Sequence, residues 1–282
     1  MKRIFIIFFM LIGGFLLYST LPSLSFLPFA TSGKAADVTT KIDSIHMELT
    51  SIKTTIIPEE REDVKTDLKG KGKVEVTKRG DTITIKYKRK PFDWFSSFEQ
   101  SELLIYIPED YHRDMKISLG SCDVILSPKK PFHLNNFTLN VGSGDVQLQN
   151  VLMNQFKGNI ASGDVTMKSI TTDVGKFDVS SGEVNVHQYK GRLDANVSSG
   201  AFFVQMDELV DAIDVDVSSG EATIDLPDNA DFTLRGNVSS GDITNHFPLD
   251  DSKQEKRTIE GTHGSGKHSI KVDVSSGDLQ LQ

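Results

Sequence analysis

One phrase, Val-Ser-Ser-Gly followed by an acid, recurs down this chain and limits what it can fold into. It stands at Val179–Glu183, Val217–Glu221, Val238–Asp242 and Val274–Asp278. Looser copies lie at Val141–Asp145, Ile160–Asp164 and Val197–Ala201, and a degenerate first copy at Leu119–Asp123 carries Cys122 in the glycine slot. From Cys122 through Gly144, Gly163, Gly182, Gly200, Gly220, Gly241 and Gly277 the spacings are 22, 19, 19, 18, 20, 21 and 36. A period near twenty marks a stacked-repeat architecture, in which each unit buries its apolar face against its neighbours.

Each copy sits between two alternating runs. Phe137, Leu139 and Val141 precede one corner, and Val146 and Leu148 follow it; Phe177 and Val179 face Val184 and Val186 across another. The residues three before and two after the glycine are apolar in every copy, so both arms bury one face. A parallel β-solenoid and an antiparallel meander both fit that phase. The solenoid is preferred, because a near-constant period with near-identical corners stacks like on like. Eight coils would make a rod of roughly 35–40 Å at a strand spacing of ~4.8 Å. The seven glycines are expected to serve a corner with positive φ, and the serines to cap its backbone. Between Gly241 and Gly277, residues 245–268 read as a charged, Gly-rich, disordered loop, after which a terminal repeat closes the stack. Its Gly-Thr-His-Gly-Ser-Gly lacks the Lys-Ser/Thr and the helix of a phosphate loop.

Residues 34–115 form a separate β region ahead of the repeats at 116–282. Ile45, Met47 and Leu49, then Val64, Thr66 and Leu68, then Ile83, Ile85 and Tyr87 alternate, and Arg79-Gly80-Asp81 punctuates a hairpin. No stretch of the body sustains a helical period, so the body is all-β. At the N-terminus Lys2 and Arg3 precede an uncharged run from Ile4 to Gly33. Residues 1–33 are read as a transmembrane helix and linker, with a cleaved signal peptide as the alternative. Either places the body outside the cytoplasm by the positive-inside bias: on a single-pass membrane protein, or secreted if the leader is cleaved.

The chain has a net charge of −8, and an acidic body argues against nucleic acid as a partner. One cysteine excludes an internal disulfide. Seven scattered histidines show no metal-ligand spacing, and no nucleophile elbow is present. No catalytic residue, cofactor or metal site is assigned. Two features carry chemistry. The acids Asp123, Asp145, Asp164, Glu183, Glu221, Asp242 and Asp278 would form a carboxylate row, read as a solvated face rather than a calcium ladder. The other is Lys86, Lys88, Arg89 and Lys90 leading into Phe92, Trp94 and Phe95, a basic and aromatic stretch suited to a membrane interface. Its plainer reading is a solvated hairpin face with aromatics plugging the core.

The Ser-Ser-Gly-Asp/Glu corners, Ile107-Pro108-Glu109-Asp110-Tyr111, Asp225-Leu226-Pro227 and the leader together resemble bacterial LiaG-like proteins of the putative-adhesin family, a domain of unknown function. The resemblance covers residues 40–282. It implies a β-solenoid on an exported, membrane-tethered protein linked to cell-envelope stress, and supplies no catalytic residues. The expected role is non-catalytic binding or scaffolding at the envelope, with lipid headgroups, wall glycan or a membrane protein as partner. A carbohydrate-active enzyme and an accessory sensor of envelope damage are the alternatives.

Overall fold

The computed structural model describes residues 31–33, 35–88 and 101–282, which form strands joined by turns, bends and short irregular links, with no helix among the described residues. The expected transmembrane segment lies outside the described residues.

The repeats are coils of a parallel β-solenoid. The strands here called β11 (Phe132–Ser143), β12 (Asp145–Ile160), β13 (Asp164–Val179) and β14 (Glu183–Val197) follow one another in the chain and in the stack. Their pairing is parallel and like on like: Val146 lies against Val165, Val165 against Val184, and Ile160 against Val179. Pairing runs through the corners as well. Ser180 N donates to Ile160 O at 2.8 Å, Ser181 N to Ala161 O at 2.8 Å, and Glu183 N to Gly163 O at 3.1 Å. Coil-to-coil backbone bonds therefore satisfy the corner, and the exposed Ser180 and Ser181 hydroxyls are not needed as caps.

The reason for glycine differs from the sequence expectation. Of the seven corner glycines only Gly144 has a positive φ, of 106°. At the others the obstacle is the coil alongside. A Cβ on Gly163 would strike the carbonyl oxygen of Gly144, and one on Gly182 that of Gly163. The same collision links Gly200 to Gly182 and Gly220 to Gly200. These are sites of close backbone approach, which only a missing side chain permits.

A second corner has no sequence phrase. Asn150, Ser169 and Gln188, each six residues beyond a corner glycine, have φ of 54°, 55° and 54°. Three different residue types hold one left-handed position, so no repeated letter marks it. Inside the coil, Phe137, Phe156, Phe177 and Phe202 stack with centroids 5.7, 5.0 and 5.2 Å apart. Each is buried, worth about 1.5–3 kcal/mol per ring relative to exposure. Gly175 leaves the space that Tyr189 fills, and the Tyr189 hydroxyl donates to Arg192 O at 2.6 Å.

The described residues of 34–115, namely 35–88 and 101–115, are not a separate layer but coils of the same stack and its cap, and the 115/116 boundary falls inside β9 (Asp114–Ser121). β3 (Ser44–Leu49) pairs in parallel with β9 on one side and with β7 (Thr82–Lys88) on the other. β4 (Lys53–Glu59) likewise lies between β8 (Glu102–Pro108) and β10 (Val124–Leu126). These coils lack the Ser-Ser-Gly phrase, which hid them from the repeat. The first coil in sequence is thus second in the stack, and β7 with β8 is outermost. β5 (Asp63–Lys69) and β6 (Lys73–Arg79) cover that end antiparallel, β6 through the expected Gly80 hairpin.

The C-terminal end repeats this plan. β22 (His268–Val274) lies between β16 (Ile213–Val217) and β18 (Phe232–Val238). β23 (Asp278–Leu281) lies between β17 (Glu221–Asp225) and β19 (Asp242–Asn245). The terminal repeat therefore does not close the stack; it is inserted one coil from the end. Nor is the excursion before it a disordered loop. β20 (Asp250–Gln254) and β21 (Thr258–His263) form an antiparallel hairpin, and β21 pairs with β18 to cover the end strand. An unpaired strand edge invites association, and both caps blunt one. The buried side chains among the described residues run from Ile42 to Leu281, and Thr31–Gln282 is one compact unit.

Candidate functional site: the basic corner of the terminal coil

In most coils two or three residues turn the corner. In the outermost coil the chain leaves β7 at Lys88 and returns at Ser101. Register shows that this excursion takes the place of Thr50–Ile52 in the next coil: Met47 pairs with Ile85, and Lys53 with Glu102. The connection from Lys88 to Ser101 therefore stands where the end coil would otherwise turn a tight corner, and by sequence it carries the basic and aromatic stretch. Arg89, Lys90, Phe92, Trp94 and Phe95 lie outside the described residues; Lys86 and Lys88 stand in β7.

Both roots of the excursion rest on the turn Lys69-Gly70-Lys71-Gly72-Lys73 between β5 and β6. Tyr87 donates its hydroxyl to Lys71 O at 2.8 Å, and Lys71 N donates to Ser101 Oγ at 3.0 Å. Gly70 and Gly72 have φ of 98° and 117°. A Cβ on Gly70 would strike Ser101, and one on Gly72 would strike the Tyr87 ring. The turn thus brings Lys69, Lys71 and Lys73 to the base of a corner that sequence alone supplies with Lys88, Arg89 and Lys90. The same end receives the chain: β1 (Thr31–Gly33) pairs with β6, and β2 (Ala35–Asp37) with β5.

Beside the corner lies an open cleft of about 560 Å³, lined by outward-facing residues of β7, β3 and β9. Parallel register sets them in rows: Thr84, His46 and Lys116 in one, Lys86, Glu48 and Ser118 in the next. Lys86 Nζ pairs with Glu48 at 2.7 Å. Lys88 and Lys73 share Glu75, at 2.9 and 3.2 Å. Their hydrogen bonds hold the Glu75 carboxyl below the usual carboxylate range. His46 is pushed below its ordinary value, first by burial and then by the charge of Lys116. Lys116 and His46 were not singled out in the sequence: strands about 70 residues apart in the chain bring them together, and neither belongs to a repeated phrase.

The acids of the corner phrase do form a row. Asp145, Asp164 and Glu183 are successive partners, Ala201 interrupts them, and Glu221, Asp278 and Asp242 follow in that order. All six acids are exposed. Among the described residues no group of three His, Cys, Asp or Glu side chains could hold a metal ion. A second ladder runs four residues before the glycines. Asn159 Nδ2 donates to Asn140 Oδ1 at 2.7 Å, Asn196 Nδ2 to Asp178 Oδ1 at 2.9 Å, and Asn237 Nδ2 to Asp273 Oδ1 at 2.7 Å. The Gly264–Gly266 turn is filled from within. Asp231 accepts from Ser265 Oγ at 2.7 Å and from Lys267 N at 2.9 Å, which holds its carboxyl below the usual range.

The described residues thus define a parallel β-solenoid with capped ends and, at one end, a lysine turn bonded to both sides of the Lys88–Ser101 connection. The chain belongs to the Toastrack DUF4097 family, whose model matches residues 42–282. Its fold is similar to that of a putative adhesin from Parabacteroides distasonis, at 13% identity, covering 90% of this chain and 97% of that one with a TM-score of 0.51. A putative adhesin from Bacteroides fragilis is similar at 13% identity, over 91% and 98%, with a TM-score of 0.50. No curated protein matches the chain.

Proposed function

We propose that this protein is a non-catalytic, membrane-anchored binding module of the bacterial cell envelope, which meets an anionic lipid surface through the basic corner of its end coil. The observation that carries the reading is the Lys69–Lys73 turn holding both roots of the Lys88–Ser101 corner. Lysines there would meet lipid phosphate, and Trp94 and Phe95 would lie at headgroup level. The chain enters the solenoid at this same end, through β1 and β2. The names of the similar structures accord with binding rather than catalysis. The LiaG-like resemblance adds a link to envelope stress and an extracytoplasmic place.

The test is co-sedimentation of residues 31–282, without the leader, with vesicles of phosphatidylglycerol or phosphatidylcholine. Binding should require the anionic lipid, weaken in high salt, and fall several-fold in Trp94→Ala/Phe95→Ala and in Lys69→Gln/Lys71→Gln. Equal binding by these variants would refute the lipid contact. Turnover of a wall polymer that one corner acid abolishes would favour an enzyme instead.

A further inference from the structure

The cleft between β7, β3 and β9 holds more positive charge than its own carboxylates balance. Lys86, Lys88 and Lys116 line it with His46, and Glu48 is the one acid of the lining. Glu48 is engaged by Lys86, and Glu75 by both Lys88 and Lys73. Lys116 has no carboxylate within ion-pair distance among the described residues. It lies in register with His46 on the adjacent strand, about 4.8 Å away along the stack. Protonating His46 sets a second cation beside Lys116, and the two repel unless an anion lies between them. Hydroxyls complete the wall. Ser118 accepts from Asn140 Nδ2 at 3.2 Å, which leaves its own proton to donate, and Thr50 is exposed at the rim. Gly120 keeps the floor low, since a Cβ there would press on Thr50.

We propose that this cleft binds a phosphate ester group, held by Lys116 and protonated His46 and hydrogen-bonded by Ser118 and Thr50. A phosphate offers several acceptor oxygens to these donors, and its charge offsets the repulsion between the two cations. The remaining charged neighbours are Lys86, Lys88 and Glu48 in the cleft and Asp81 beyond it. The proposal rests on the lipid-surface reading only for the source of the phosphate. A membrane headgroup and a soluble phosphate ester present the same chemistry.

The test follows His46 by NMR of the full chain in non-ionic micelles, with His46→Gln assigning the resonance. Inorganic phosphate, compared with chloride at matched ionic strength, should raise the His46 titration midpoint by about half a pH unit or more, saturably. Lys116→Gln should raise the midpoint without phosphate and remove the response to it. Nanodiscs of phosphatidylglycerol and phosphatidylcholine form the second arm. A response to phosphatidylglycerol names the headgroup as a source, and a response to inorganic phosphate alone names a soluble ester. A midpoint that neither phosphate nor phosphatidylglycerol moves overturns the proposal, as does a response that Lys116→Gln leaves intact. Failed vesicle co-sedimentation with an intact phosphate response would sink the lipid-surface reading and leave the cleft standing.

Discussion

Gly241 packs on Gly277, although 36 residues separate them in the chain. A Cβ on Gly241 would collide with the carbonyl oxygen of Gly277, and one on Gly277 with that of Gly220. The contact fixes the order of coils as Gly220, Gly277, Gly241. Burial agrees: Val274 and Leu279 are enclosed at 3% and 2% exposure, whereas Val238 and Ile243 are only partly buried. The last segment of the chain is inside the stack.

A chain ending at Lys267 should therefore lose cooperative folding rather than shed one unit. Removing β22 and β23 leaves the β16–β17 coil facing the β18–β19 coil across an absent layer. Chemical denaturation followed by circular dichroism should show a broad or missing transition. A sharp transition at slightly lower denaturant would mean that the terminal repeat is dispensable.

Gly182→Ala should destabilise by about 2–3 kcal/mol, because the methyl must displace the backbone of the neighbouring coil rather than a side chain. Gly80→Ala is the contrast. Its φ is 59° with nothing within reach of a Cβ, so the cost should be about 1 kcal/mol from backbone conformation alone. Urea midpoints of the two variants decide between close approach and backbone conformation as the reason for the corner glycines.

Asn196→Asp should cost about 1 kcal/mol at neutral pH. The side chain lies between Asp178 and Asp216, and its amide donates to Asp178. The folded state would raise the pKa of the new carboxyl, so it binds that proton more tightly than the unfolded chain does. The variant's deficit should shrink as pH falls through the carboxylate range. A deficit independent of pH would show that the lost hydrogen bond, not charge, is responsible.

His46 gives a pH dependence of its own. Its pKa is lowered by burial and by Lys116, so the unfolded chain binds the proton first as pH falls below the ordinary value of 6.5. Stability should decline from there through the lowered folded value. Lys116→Gln removes the second cause, so thermal midpoints of this variant should improve relative to the parent near pH 5 and not near pH 8. Parallel profiles would separate Lys116 from the His46 titration.

Millimolar calcium should leave the thermal midpoint unchanged. Calcium takes six to eight oxygen ligands, and the corner row offers one carboxylate per coil and is broken at Ala201. A rise of several degrees would mean that the row gathers metal across coils.

The apolar phase around each glycine was legible in the sequence, as was the parallel stacking of like on like. Val141, Val146, Val179 and Val184 all fall in the core as their spacing demands. The second corner was not legible, because Asn150, Ser169 and Gln188 share a backbone conformation and no side chain. The first coils were missed for a related reason: Thr50–Ile52 turns a corner without the phrase. Of the basic corner, Lys86 and Lys88 could be named from sequence as a charge run, whereas His46 and Lys116 reach it only through parallel register.

By itself the sequence determined the period, the buried face and the position of each tight corner, since those follow from local alternation and from a small residue recurring at one place. Only the tertiary structure decided the order in which coils stack. Coils that expose the same apolar edge can pair in any order, and the choice falls to the caps and to the close fit of one glycine on the next. That order, with the first and last coils each tucked one layer in, brings the Lys88–Ser101 connection to the end of the stack. It also sets His46 and Lys116 beside Lys86 and Lys88 at its root.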